Sequence, residues 1–218
     1  MRRLLSPNIK THEQYRDFRT LLSKTLGGKG VIDINDDDTD ETIMYAVIKD
    51  LKAMTVRNEP GVGIEILEEF IYIPVEPVNF TYNLMLDIHN KARKMFVEDG
   101  TYGIKFESQI RSIINRVDDE FFGKTMHETI IKRAAFYWYE IATHQAFHNG
   151  NKRTALLAML SYLKLNNYKL LTNNLSDSKL YNYTVQIAEG SLSIDAIEKM
   201  IYNNVSIDIN KMNEKEKK

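Results

Sequence analysis

The stretch Gln145-Ala-Phe-His-Asn-Gly-Asn-Lys-Arg-Thr154 is a short polar loop set between two apolar runs, 128–143 and 152–165. In the first run Ile130, Ala134, Ala135, Trp138, Ile141 and Ala142 recur at helical spacing, which predicts a long buried helix. The second run predicts another helix, stopped by Asn166-Asn167. A helix start presents unpaired N–H groups and the positive end of a dipole, so the second helix is built to receive an anion. Gly150 allows the backbone to turn inward and come close to a ligand. Lys152 and Arg153 add charges that suit phosphate, and arginine can grip it with two parallel hydrogen bonds. Asn149 offers a carbonyl oxygen to a Mg²⁺ ion that the phosphates would share. The competing reading is an ordinary helix start whose basic residues face solvent.

Further helices are expected on both sides of this core. Thr11-His-Glu-Gln14 has the form of a capping box, opening a helix to Leu26 that stops at Gly27-Gly28. The acidic run Asp36-Asp-Asp38 leads into a second helix over 40–54, or is simply a solvated loop. Residues 58–79, with Pro74 and Pro77 among β-prone residues, read as an extended or short-strand linker. Beyond it, Leu84, Leu86, Ile88, Ala92 and Met95 mark an amphipathic helix ending at Gly100. Phe106, Ile110, Ile113, Ile114 and Val117 mark another. Thr125-Met-His-Glu128 reads as the capping box of the long buried helix, and helices over 176–189 and 193–203 close the set. The fold class expected is all-α: an N-terminal accessory helical region (1–75), a main helical domain (76–205) and a charged tail (206–218). His89 reads as structural, and Tyr102-Gly103 as an ordinary loop or part of a flap.

Bulk composition narrows the function classes. The 218 residues are 43% hydrophobic and 27% charged, as in an ordinary globular chain with room for one well-buried core. With 29 basic and 30 acidic side chains there is no electrostatic footprint for nucleic acid or an anionic membrane. The chain has no cysteine, which excludes a thiolate zinc site, a disulfide scaffold and a cysteine nucleophile. The N-terminus lacks the apolar core of a secretory signal and no apolar stretch reaches roughly 20 residues, so a cytoplasmic protein is expected.

Gly150-Asn-Lys-Arg-Thr-Ala-Leu156, preceded by Phe147, resembles the signature of the Fic/Doc family. It is similar in particular to the death-on-curing branch, which reads His-x-Phe-x-(Asp or Asn)-(Gly or Ala)-Asn-Lys-Arg. Leu86-Asp-Ile-His89, Gly103-Ile-Lys, Lys132-Arg-Ala-Ala135 and Ile187-Ala-Glu-Gly190 extend the likeness over about 80–203. The resemblance implies a helical bundle with a short β-flap, binding a nucleoside triphosphate such as ATP with Mg²⁺. It implies transfer of AMP, or in death-on-curing toxins of phosphate, to a hydroxyl on a target protein. By the same likeness Phe147 packs the loop into the core and Asn149 is the metal ligand. Gly150 and Asn151 form the anion-holding turn, and Lys152 and Arg153 bind phosphate. AMP-transferring members have Gly in place of Lys152 and a second Arg where Leu156 stands, so phosphate transfer is the closer match. The inhibitory Ser/Thr-x-x-x-Glu helix of many members lacks its hydroxyl here, at Val185, so an antitoxin chain is the expected restraint.

One departure is chemical. Where the family has its general-base histidine this chain has Gln145, which cannot titrate near neutral pH. Either His144 takes the role, against a rotation of about 100° per helical residue, or Gln145 is a true replacement and turnover suffers. His148 reads as a surface histidine. His144-Gln-Ala-Phe-His148 also has the histidine spacing of a zinc-protease helix, but without its glutamate and with Asn149-Gly150 breaking the helix.

Overall fold

The computed structural model describes residues 2–26, 43–49, 52–59, 61–95, 100–171 and 175–214. Eight helices among them make the chain mostly helical, and none is long and apolar enough to cross a membrane. Two compact units are present, one of residues 78–205 and one of 1–77 with 206–218.

In the first unit, helix α1 (His12–Thr25) begins as the sequence predicts. Thr11 accepts from the Gln14 backbone while the Gln14 side chain accepts from Thr11 N–H. Phe18, Leu21 and Leu22 lie on one face of α1 and are fully buried. Phe18 meets Tyr72 edge-on at 5.3 Å.

The helix expected over 40–54 is not there. The described part is strand β2 (Ile43–Lys49), followed by β3 (Lys52–Glu59) and β4 (Gly63–Tyr72). With β1 (Arg2–Leu5) they form a sheet in the order β1-β4-β3-β2, with β1 and β4 parallel. Ile43, Val47, Ile48, Thr55, Val56, Ile64, Ile66 and Ile71 supply the β-branched content that favours strands. Gly61 and Gly63, both at positive φ, carry the chain from β3 to β4. The accessory region is therefore α+β rather than helical, and the span read as an extended or short-strand linker holds β4 and the end of β3. The acidic run 36–38 and the Gly27-Gly28 stop lie outside the described residues. The charged tail is also corrected: in 206–212, Ile207 and Met212 are buried, and the Ile207 N–H donates to Thr25 Oγ1.

In the second unit, α2 (Tyr82–Met95), α3 (Glu107–Arg116), α6 (Asp177–Ala188) and α7 (Ile194–Asn204) surround α4 (Ile130–His144) and α5 (Asn151–Leu165). Helix α4 is the axis, with eleven of its residues buried. Within it Trp138 donates to Thr184 Oγ1 at 3.0 Å, since a buried indole N–H needs an acceptor. The cap of α4 is Thr129, which accepts from Lys132 N–H. Thr125, expected to cap it, ends instead in the small hairpin β5 (Glu120–Phe121) and β6 (Lys124–Thr125). That hairpin turns through Phe122 and Gly123, both left-handed, the geometry a two-residue turn requires.

Candidate functional site

Helix α4 stops because Gln145 takes a left-handed conformation, φ 49° and ψ 46°. Five residues later Gly150, at φ 75°, becomes the N-cap of α5. Between them Ala146 and Phe147 turn into the core, with Phe147 2% exposed. The Asn151 side chain braces this turn from both sides. Its Oδ1 accepts from Phe147 N–H at 2.9 Å and its Nδ2 donates to Phe147 O at 2.8 Å. A neighbouring segment is tied to the loop by backbone alone. Lys105 and Phe106 N–H donate to Ala146 O, His148 N–H donates to Gly103 O, and Ile104 bridges Phe147. Tyr102-Gly103 thus sits beside the loop.

Beneath the loop three rings stack. His89 lies between Phe147 at 3.8 Å and Tyr102 at 4.2 Å, both tilted by only 13°. Tyr102 donates to His89 O at 2.7 Å. Its hydroxyl would stand 2.9 Å from a Cβ placed on Gly150, so any other residue there would have to displace Tyr102 and hold a left-handed φ of 75°. Burial first, then the charges of Arg153 and Arg93, push the His89 pKa down to about 4, so the ring is neutral near pH 7.

No side chain caps α5. Gly150 N–H donates to Asn149 Oδ1 at 2.7 Å, whereas the N–H groups of Asn151 and Lys152 have no hydrogen-bond partner among the described residues. Both residues line a cavity of about 1030 Å³, together with Gln145, His148, Asn149, Gly150 and Arg153. The cavity continues along Leu156, Leu157 and Leu160 of α5 to Leu180, Tyr181 and Asp177 of α6. One cationic, donor-rich end and one apolar flank suit a ligand that joins phosphates to a flat ring. Asn149 Oδ1 keeps a second lone pair after accepting from Gly150. Among the described residues no three histidines or carboxylates gather to hold a metal. A Mg²⁺ ion here would take its oxygens chiefly from phosphates, with Asn149 as its protein ligand.

Of the residues singled out in the sequence, Gln145 and 148–153 share this cavity, while His144 does not line it. Its Nδ1 lies 3.0 Å from Glu140 O and 3.5 Å from Glu140 Oε2, and that carboxylate also holds Arg116 at 2.7 Å. His144 and His148 are not on one helix, because α4 ends at His144; this removes the zinc-helix geometry. Sequence reading missed two contributors, Thr154, buried under the turn, and Asp177 on the cavity wall, where Glu189, read only as the end of a helix lacking its hydroxyl, also lies. Only Thr154 carried a signal, as the fourth residue of a helix whose N-cap carbonyl a hydroxyl can reach.

A search of curated proteins finds no match to this chain. Residues 79–163, from the approach to α2 through nearly all of α5, match the model of the Fic/DOC family; over that segment, which carries the loop and the stack beneath it, the chain is similar to Fic/DOC proteins.

Proposed function

We propose that this chain is a Doc-like transferase that moves a phosphate from ATP, or another nucleoside triphosphate, to a hydroxyl on a target protein. The match over 79–163 supports a Fic-type nucleotide-using transferase in general. The observation that carries the reading is the uncapped start of α5, opening beside Lys152 and Arg153 on a cavity of nucleotide size. The free N–H groups of Asn151 and Lys152 would meet phosphate oxygens, and Arg153 would add a two-pronged contact. Bound magnesium would neutralise charge on the phosphates.

Phosphate rather than AMP transfer is favoured by Lys152, and by Leu156 on the cavity wall where AMP-transferring relatives carry a second arginine. We assign the chain to the cytoplasm as a toxin or effector restrained by an antitoxin partner, in keeping with the death-on-curing resemblance.

The second reading, a Fic-fold protein that binds nucleotide or a partner without turnover, is favoured by one observation. Gln145 lines the cavity but cannot take a proton, and the His144 ring is turned onto Glu140. Gln145 can orient a hydroxyl through its amide, and no more. Incubation of the protein with a cell lysate and ATP labelled at either the α or the γ position separates the readings. Protein label from γ alone supports phosphotransfer, and label from α replaces it with nucleotide transfer. Binding without label supports the second reading, and no binding of Mg·ATP removes the first and leaves only the partner-binding form of the second.

A further inference from the structure

We propose that His89 is a positioning residue for the phosphate turn, acting as the Nδ1–H tautomer through Thr154 on the carbonyl of Gly150; this rests on the nucleotide reading above. The hydrogen-bond order fixes the tautomer. Thr154 Oγ1 donates to Gly150 O at 2.8 Å, which uses its one proton. The same oxygen lies 2.9 Å from His89 Nδ1, so it must accept there and Nδ1 must carry the hydrogen. His89 Nε2 is then a bare acceptor, buried and with no hydrogen-bond partner among the described residues. A buried, unsatisfied ring nitrogen costs stability, so simple packing would be better served by Phe at this position. What histidine adds is the polarised chain Nδ1–H to Oγ1–H to the Gly150 carbonyl, which also accepts Thr154 N–H at 2.9 Å. That chain holds the Gly150 carbonyl toward the helix interior. The Asn151 amide, in the same rigid peptide plane, is consequently held pointing the opposite way, towards the start of the helix. Tyr102, held by His89 O at 2.7 Å, wedges the same glycine from beside.

The test compares His89→Phe and Thr154→Val, which remove the relay, with Thr154→Ser, which keeps it, and His89→Asn, which keeps an N–H on Cγ. Mg·ATP affinity is read by calorimetry and melting temperature serves as the control. His89→Phe and Thr154→Val are expected to bind about fivefold to tenfold more weakly while melting near the parent. Thr154→Ser binds within about twofold of the parent, and His89→Asn binds more tightly than His89→Phe. Four variants that all bind like the parent, or losses that merely follow melting temperature, overturn the proposal. If the parent itself gives no heat with Mg·ATP, the nucleotide reading falls, and amide exchange in the nucleotide-free protein decides the positioning role. Faster exchange at Phe147 and Thr154 in the two relay-breaking variants alone upholds it; unchanged exchange, or a His89 proton found on Nε2 by nitrogen NMR, ends it.

Discussion

Helices α4 and α5 are neighbours of equal length, yet they begin in opposite ways. At the start of α4 the Thr129 hydroxyl accepts from Lys132 N–H, and α6 and α7 are closed in the same manner by Ser176 and Ser193. At the start of α5 the N-cap is a left-handed glycine with no side chain to offer, and the first residues of the helix line a cavity. A cap of the Thr129 kind contributes about 1 kcal/mol of stability. Its omission at α5, beside the capped starts of α4, α6 and α7 (α3 also begins without a side-chain cap), leaves donors available to something from outside. The two starts therefore separate a helix end closed by its own hydroxyl from one left open, which the proposed function fills with phosphate.

The sharpest way to exploit that contrast is chemical. Gln145→His places a titratable ring on the cavity wall, and phosphotransfer should rise by roughly 10²–10⁴ if only a general base is lacking; label incorporation that stays flat would show that α5 receives nucleotide for some other purpose. Acid comes next. His89 beneath α5 and His127 just before α4 both have pKa values pushed down to about 4, in each case first by burial. Arg153 and Arg93 add to the effect at His89, and Arg133, Arg116 and Lys132 at His127. The unfolded chain takes up these protons near the ordinary value of about 6.5, so stability is full above that pH and is lost as pH falls towards 4. His89→Phe should flatten part of that slope in denaturant melts and also weaken Mg·ATP binding. His127→Phe should flatten its own part with binding unchanged.

Gly150→Ala probes the turn directly. An L residue at φ 75° is strained, and its Cβ would press on the Tyr102 hydroxyl. Loss of Mg·ATP affinity should reach about 30–100-fold. The smallest effects form a crossed pair. Arg153→Ala should weaken Mg·ATP binding about tenfold with little change in melting. Thr129→Ala should cost about 1 kcal/mol of stability with binding intact. Reversal of that pair would erase the distinction between the two helix starts.

The parts of this architecture that were legible in the sequence are local. Thr11 and Gln14 satisfy each other three residues apart, and Gly150 announces a turn between two apolar runs, so α1, α4, α5 and their connecting loop could be read directly. What was not legible depends on distant partners. β4 is flanked by β1, more than sixty residues earlier, and by β3, and within 40–54 the β-branched Ile43, Val47 and Ile48 only lean towards a strand that distant pairing decides. The Thr125-x-x-Glu128 pattern was a true local signal attached to the wrong place, because Thr129 offered the better-placed hydroxyl. In the site, Gln145 and 148–153 are contiguous and readable. The stack of His89, Tyr102 and Phe147 is assembled from three separate segments, and no spacing rule brings them together.

The backbone ties that hold residues 146–148 against 103–106 have a bearing on how such a chain can change over time. Three N–H to carbonyl bonds do the holding, and none depends on which side chain is present. Ile104, Lys105 and Phe106, all exposed, are thus at liberty to drift, and with them whatever surface they show to a visiting protein. Only proline at 105, 106 or 148 would cut a tie. Descendants of this sequence could change the face of that edge while the turn it is tied to stays fixed.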